Sequence, residues 1–220
     1  KFVEGLQEGH IFNSVTKEFY DHVVVVPSFF RVRGVEWYPL GEGTGAPVKL
    51  YKPEEIPPLV RGADGEDHYM IDGKPSQTYI NKTAEYFVLI IKPDGSTERA
   101  QIVMQKTQYK KAKYWNTMMA NQKIETKSGG MMTLPMFANA YTMKGVHEAN
   151  KKNDWWGWKI DLFKSVNDYS NASYIVNEAN TFRELVKSGE IDPAPETQDD
   201  PVSEMKNLNP SQDDLVLGSS

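Results

Sequence analysis

Tyr86-Phe87-Val88-Leu89-Ile90-Ile91-Lys92-Pro93-Asp94-Gly95-Ser96-Thr97-Glu98-Arg99-Ala100-Gln101-Ile102-Val103-Met104-Gln105 decides the fold class of this 220-residue chain. Its opening apolar run, rich in β-branched and aromatic types, is short for a helix and suits a strand covered on both faces. Pro93-Asp94-Gly95 brings a fixed φ, a carboxylate able to bond its own backbone and a residue free to take positive φ, the ingredients of a reverse turn. Beyond the turn Ala100, Ile102 and Met104 alternate with polar residues, so the returning strand has one buried face. The chain folds back on itself here, which predicts a sheet protein.

The period changes directly after this hairpin, in Lys106-Thr107-Gln108-Tyr109-Lys110-Lys111-Ala112-Lys113-Tyr114-Trp115-Asn116-Thr117-Met118-Met119. At 100° per residue Tyr109, Ala112, Trp115 and Met119 share one arc, and Lys106, Lys110, Lys113 and Thr117 share another. The segment therefore predicts an amphipathic helix with a packing face and a basic face.

Upstream, Val23-Val24-Val25-Val26 and, after Pro27, Phe29 to Trp37 read as two strands or one strand bent at the proline. Alternation sets Phe29, Arg31, Arg33, Val35 and Trp37 on one face, so basic and aromatic groups share it. Residues 1 to 21 have no clear period and predict a short strand or an irregular arm. Gly41 to Pro47 is a plain loop, because no Gly-Lys-Ser/Thr ending follows the glycines. Residues 52 to 78, with Pro53, Pro57, Pro58 and Pro75, form a surface excursion. The acids Asp64, Glu66 and Asp67 within it do not have the spacing of an EF-hand.

Downstream, Asn121 to Gly130 predicts a polar loop. Phe137 to Met143 and Trp155 to Phe163 predict two strands joined by a polar link, Lys144 to Asp154. In the second, Trp156, Trp158, Ile160 and Leu162 fall on a core face, and Trp155, Lys159 and Asp161 on the opposite one, which makes Trp155 the better contact candidate. A helix from Ala172 to Ser188 buries Ile175, Ala179, Phe182 and Val186, with Asn171 as N-cap and Gly189 as its stop. Roughly seven strands with two helices give a mainly β, α+β fold, best matched by an OB-like antiparallel barrel over residues 1–189 and followed by an acidic tail, 190–220.

Charge geography carries the functional argument. The net charge is −5. Yet Glu190, Asp192, Glu196, Asp199, Asp200, Glu204, Asp213 and Asp214 stand against Lys206 alone, so the tail carries −7 and the first 189 residues +2. Arg99, Lys106, Lys110, Lys111, Lys113, Lys123 and Lys127 face only Glu125 between residues 99 and 127, a local +6. The domain thus has a basic patch that the tail can oppose.

Several classes lose support. Without cysteine there are no disulfides, thiolate metal sites or cysteine nucleophiles. His10, His22, His68 and His147 are too scattered for a structural zinc site, and no Gly-x-Ser-x-Gly elbow is present. No catalytic residue, metal or cofactor is therefore expected. No apolar run approaches the ~20 residues of a membrane span, and the N-terminus lacks a signal-peptide pattern, so a soluble intracellular protein is expected.

Single strands of nucleic acid are held by a positive groove along the backbone and by aromatic rings that stack on bases. Lys106, Lys110, Lys111 and Lys113 are groove candidates, Arg31 and Arg33 a second bank, and Phe29, Trp37, Tyr114 and Trp155 the stacking candidates. The stretches Phe87 to Gln105, Lys106 to Met119 and Asn153-Asp154-Trp155-Trp156-Gly157-Trp158-Lys159-Ile160 together resemble tailed-bacteriophage proteins of the single-stranded DNA-binding type. Val25-Val26-Pro27 and Val35-Glu36-Trp37-Tyr38-Pro39 are similar to the same family's N-terminal pattern, so the likeness spans most of residues 9 to 163. It implies an OB fold and binding to displaced single strands during phage replication or recombination, in the cytoplasm of the infected host. It also implies a tail that contacts replication partners, although this tail ends Leu215-Val216-Leu217-Gly218-Ser219-Ser220 without the family's terminal aromatic residue. Two other classes stay open: a virion or polymerase-interacting protein whose basic helix meets an acidic surface, and a Mg²⁺-dependent nuclease.

Overall fold

A computed structural model describes residues 5–151 and 153–193. Its main sheet is built from β1 (His22–Trp37), β2 (Tyr79–Ile91), β3 (Thr97–Met104), β4 (Asn139–Ala149) and β5 (Asp154–Ser165), with α1 (Tyr109–Ala120) between β3 and β4 and α2 (Ala172–Lys187) after β5. The spatial order is β3-β2-β1-β4-β5, every pair antiparallel, and the short strand Lys49–Tyr51 adds to the far end of β1.

The hairpin predicted at Tyr86 is present, with Thr97 opposite Ile91 and Met104 opposite Ala84. Its first strand begins earlier, at Tyr79, because β1 supplies partners as far as Trp37. β1 is one strand rather than two. The pairing register shifts between Pro27 and Phe29, which fits a proline that cannot donate to a ladder and so sits at a bulge. Val23 to Val25 pair with β4 on one side, whereas Gly34 to Glu36 pair with Lys49–Tyr51. A single long strand thus serves two halves of the sheet.

β2 is apolar on both faces because both faces are covered. Ala84, Tyr86, Val88 and Ile90 join Met104, Tyr141, Met143 and Ile160 against Ala112, Trp115 and Met119 of α1. Phe87 and Leu89 point the other way, onto Ile175, Ala179, Phe182 and Val186 of α2. The packing residues expected for both helices are those found. Asn171 does precede α2, but its side chain makes no capping bond. Its Nδ2 instead donates to the Gly95 carbonyl at 2.8 Å, tying α2 to the β2–β3 turn.

Two further segments complete the core. The arm pairs Ile11–Phe12 with Phe19–Tyr20, and Ile11 and Tyr20 pack on the α1 side of the sheet. It crosses β4 so closely that a Cβ on Gly145 would stand 2.2 Å from the Gly9 carbonyl oxygen, which requires glycine there. The excursion from 38 to 78 is tied down by Glu36, buried on β1. Its carboxylate accepts bonds from Tyr51 Oη at 2.7 Å, Tyr69 Oη at 3.0 Å and Thr78 Oγ1 at 2.5 Å.

Some expectations are corrected. No ladder joins β3 to β5 among the described residues, so the sheet is not a closed barrel. The gap is spanned by side chains: Gln108, in the 3-10 turn Lys106–Gln108, accepts the Trp158 backbone N–H at 3.0 Å. Most of the polar link Lys144 to Asp154 is strand, because polar residues on the open end of a hairpin still complete its ladder. The loop Asn121 to Gly130 holds half of a small hairpin, Lys123–Glu125 against Met131–Thr133. On β5, Ile160 is buried and Trp158 half-buried, but Trp156 and Leu162 are exposed, because the sheet's edge leaves them uncovered.

Candidate nucleic-acid interface

α1 presents the basic face. Ala112, Trp115 and Met119 are buried, and Lys110, Lys113, Tyr114 and Thr117 are exposed. Lys113 and Tyr114 each lie three or four residues from both Lys110 and Thr117, so the four form one continuous stripe along the helix. No acid lies on α1, and its first turn contains Lys110 and Lys111, with Lys113 just beyond. Cations at the positive end of a helix cost a few tenths of a kcal/mol each. Local stability alone would have placed acids there.

The lysines differ in how they are engaged. Lys111 is bonded to Glu148, whose carboxyl is held below its ordinary range first by that lysine and also by the Trp155 indole N–H, which donates to it at 3.0 Å. Lys106 pairs with Glu66 at 2.8 Å and lies 5.6 Å from the centre of the Tyr79 ring. Lys110 and Lys113 make no ion pair among the described residues; Lys113 rests over the Tyr109 ring at 5.3 Å. The expected groove of four lysines is thus two free cations beside two engaged ones. Tyr114 is the aromatic residue that stays open, 60% exposed.

The second bank is engaged elsewhere. Glu85, 2% exposed, takes Arg31 Nε on one carboxylate oxygen at 2.6 Å and Arg33 Nε and Nη2 on the other at 2.9 and 2.7 Å. Asp192 Oδ1 then accepts from Arg31 Nη2 at 2.5 Å and from Arg33 Nη1 at 3.2 Å. Arg33 is buried in this cluster, and the Arg31 guanidinium lies over Phe87 at 5.0 Å. The alternation that set these side chains on one face is correct, but α2 and the chain after it cover that face.

Two aromatic candidates are likewise built into the fold. Phe29 packs against the α2 cluster and Phe87, and Trp37 is buried with Val35 and Tyr79. Trp155 is half-buried, its indole held by Glu148. Its neighbour Trp156 is more exposed, stacked edge-on to His147 and lying against Gly9. Beside the arginine cluster runs a shallow groove lined by Val35, Trp37, Thr83, Glu85, Gln101, Val103 and Gln105. Gln105 leads directly into the turn that opens α1.

Sequence reading missed the acids that decide which cations are free. Glu66, Glu148 and Asp192 lie 40, 37 and 161 residues from Lys106, Lys111 and Arg31, and no local pattern marks such pairs. Among the described residues no group of three or more His, Asp or Glu side chains is placed to hold a metal, and no helix is long and apolar enough to cross a membrane. The tail beyond Pro193 lies outside the described residues.

The family model described as Pam3 phage gp34-like protein matches residues 1–192. No curated protein and no solved structure matches.

Proposed function

The chain belongs to the Pam3 phage gp34-like family, and we propose that it is a non-catalytic protein that binds single-stranded DNA without sequence preference. It acts in phage replication or recombination, in the cytoplasm of the infected host. The observation that carries this reading is the stripe of Lys110, Lys113 and Tyr114, two cations without an ion pair among the described residues and an open ring on the solvent face of a helix without acids. Cations that follow a phosphate backbone, with a ring for base stacking, are the elements that hold single strands.

The topology supports the same reading. A central β1 flanked by β2–β3 on one side and β4–β5 on the other, with a helix between β3 and β4, supports a reading of the sheet as a partly open, five-stranded OB-like barrel. In such barrels the face of strands 2 and 3 takes oligonucleotides, and here that face carries the groove ending at Gln105. The acidic tail, residues 190–220, would contact replication partners.

Titration of a fluorescent oligo-dT by anisotropy at two salt concentrations tests the proposal. Each phosphate neutralised contributes a slope of about −0.7 in log K against log salt for a single strand. A measurable affinity that falls steeply with salt is expected, and no binding at low salt sinks the reading.

A second reading draws on another observation. The hairpin Lys123–Glu125 and Met131–Thr133 exposes Ile124, Met131 and Met132 to solvent, which favours a protein partner, as in a virion or polymerase-interacting protein. Detecting the chain in purified particles rather than in extracts of replicating cells would favour that reading over DNA binding.

A further inference from the structure

The cluster on the outer face of β1 and β2 has a charge imbalance that one residue corrects. Arg31 and Arg33 bring two guanidiniums, and Glu85 beneath them, 2% exposed, balances one. Asp192 balances the other. The side chain of Arg33 is 10% exposed and that of Arg31 22%, whereas Asp192 is 50% exposed. It stands on the outermost part of the cluster, just after Ile191, whose N–H bonds the Leu185 carbonyl at the end of α2. Arg33 Nη2 also donates to the Pro193 carbonyl at 3.2 Å.

We infer that the Arg31/Arg33 pair is a phosphate-binding site, closed in the free protein by the Asp192 carboxylate. Guanidiniums present parallel donors that match carboxylate and phosphate oxygens alike, so Asp192 occupies the position that a phosphodiester oxygen would take. Withdrawal of Asp192 leaves Glu85 fully paired and frees Arg31 Nη2 and Arg33 Nη1 with one uncompensated positive charge. The groove beginning at Glu85 and passing Thr83, Gln101 and Gln105 then offers uncharged polar side chains along which a strand would run to the Lys106–Gln108 turn, on the face of the sheet opposite α1. An exposed carboxylate on the chain that follows α2 is simpler to displace than the buried one. The site rests on the single-strand reading above and adds a second contact region, with its regulation, to the α1 stripe.

The full chain, Asp192→Asn and Asp192→Asn/Arg31→Gln are titrated with fluorescent oligo-dT across a salt series, with Lys110→Gln/Lys113→Gln as reference. Asn keeps the size of Asp192 without its charge, and with Arg31 replaced Glu85 still holds both Arg33 bonds, so each chain is expected to fold; circular dichroism checks this. Asp192→Asn is expected to bind on the order of tenfold more tightly. Its salt slope should steepen by about 0.7 per added phosphate contact. Adding Arg31→Gln should abolish the gain.

If the parent binds, the lysine reference weakens binding and Asp192→Asn changes nothing, the inference falls and the single-strand reading stands. A gain that survives Arg31→Gln reflects general loss of negative charge and also overturns it. If neither parent nor Asp192→Asn binds, both fall.

Discussion

Tyr114 and Trp115 are neighbours on one helix with opposite roles, and exchanging each for alanine separates interface from core. Tyr114 is 60% exposed and belongs to none of the buried clusters, so Tyr114→Ala should change stability by no more than about 0.5 kcal/mol. Stacking of one base on such a ring is worth about 1–3 kcal/mol, so oligo-dT affinity should fall by about 5- to 150-fold. Trp115 is fully buried, its ring 4.3 Å from Tyr86 and 5.6 Å from Tyr141. Trp115→Ala empties the centre of the core and should cost about 3–5 kcal/mol. For a domain of this size that lowers Tm by about 6–20 °C. Thermal melts followed by circular dichroism, with anisotropy titrations of the same samples, give both quantities. Equal loss of Tm in the two variants would refute the assignment of the helix faces. Unchanged affinity of Tyr114→Ala, with the parent binding, would remove the ring from the interface.

Three other perturbations follow from particular contacts. Lys110→Gln/Lys113→Gln should reduce the salt slope of binding by about 1.4. Its Tm should hold or rise, because two cations leave the positive end of α1; a fall in Tm would show that these lysines serve the fold. Gly145→Ala drives a methyl group into the Gly9 carbonyl and should destabilise by about 1–3 kcal/mol, with increased proteolysis of the arm before β1; a melt like the parent's would count against the close crossing. His68 gives a pH dependence. Burial disfavours its cation, but Asp64 at Nε2 and the Ser76 and Thr78 carbonyls at Nδ1 outweigh it and raise the pKa above 6.5. A raised folded pKa means that its contribution is complete below 6.5 and is lost as pH rises through the raised value. The parent should therefore lose more stability than His68→Gln between about pH 6 and 9, and parallel Tm profiles would contradict the imidazolium clamp.

How much was legible depended on the range of the interaction. The Tyr86 to Gln105 hairpin follows from a turn signal between apolar runs, and the packing faces of α1 and α2 follow from period alone. The same logic set Arg31, Arg33 and Phe29 on one face correctly. It could not say that α2 and Asp192 cover that face, because alternation reports sides of a strand and not what lies against each side. Trp156 and Leu162 share the parity of buried Ile160, but the sheet's edge leaves them exposed.

The sequence by itself determined the cores of the long strands, the two amphipathic helices and a basic segment without acids, since each depends on residues within a few positions of one another. Tertiary structure decided which of those cations remain free. Lys106, Lys111, Arg31 and Arg33 are neutralised by carboxylates brought from distant parts of the chain, whereas Lys110 and Lys113 meet no carboxylate partner among the described residues. The physical reason is that ion pairing acts over a few ångströms in space. Separation along the chain has no part in it, so only the fold assigns the partners.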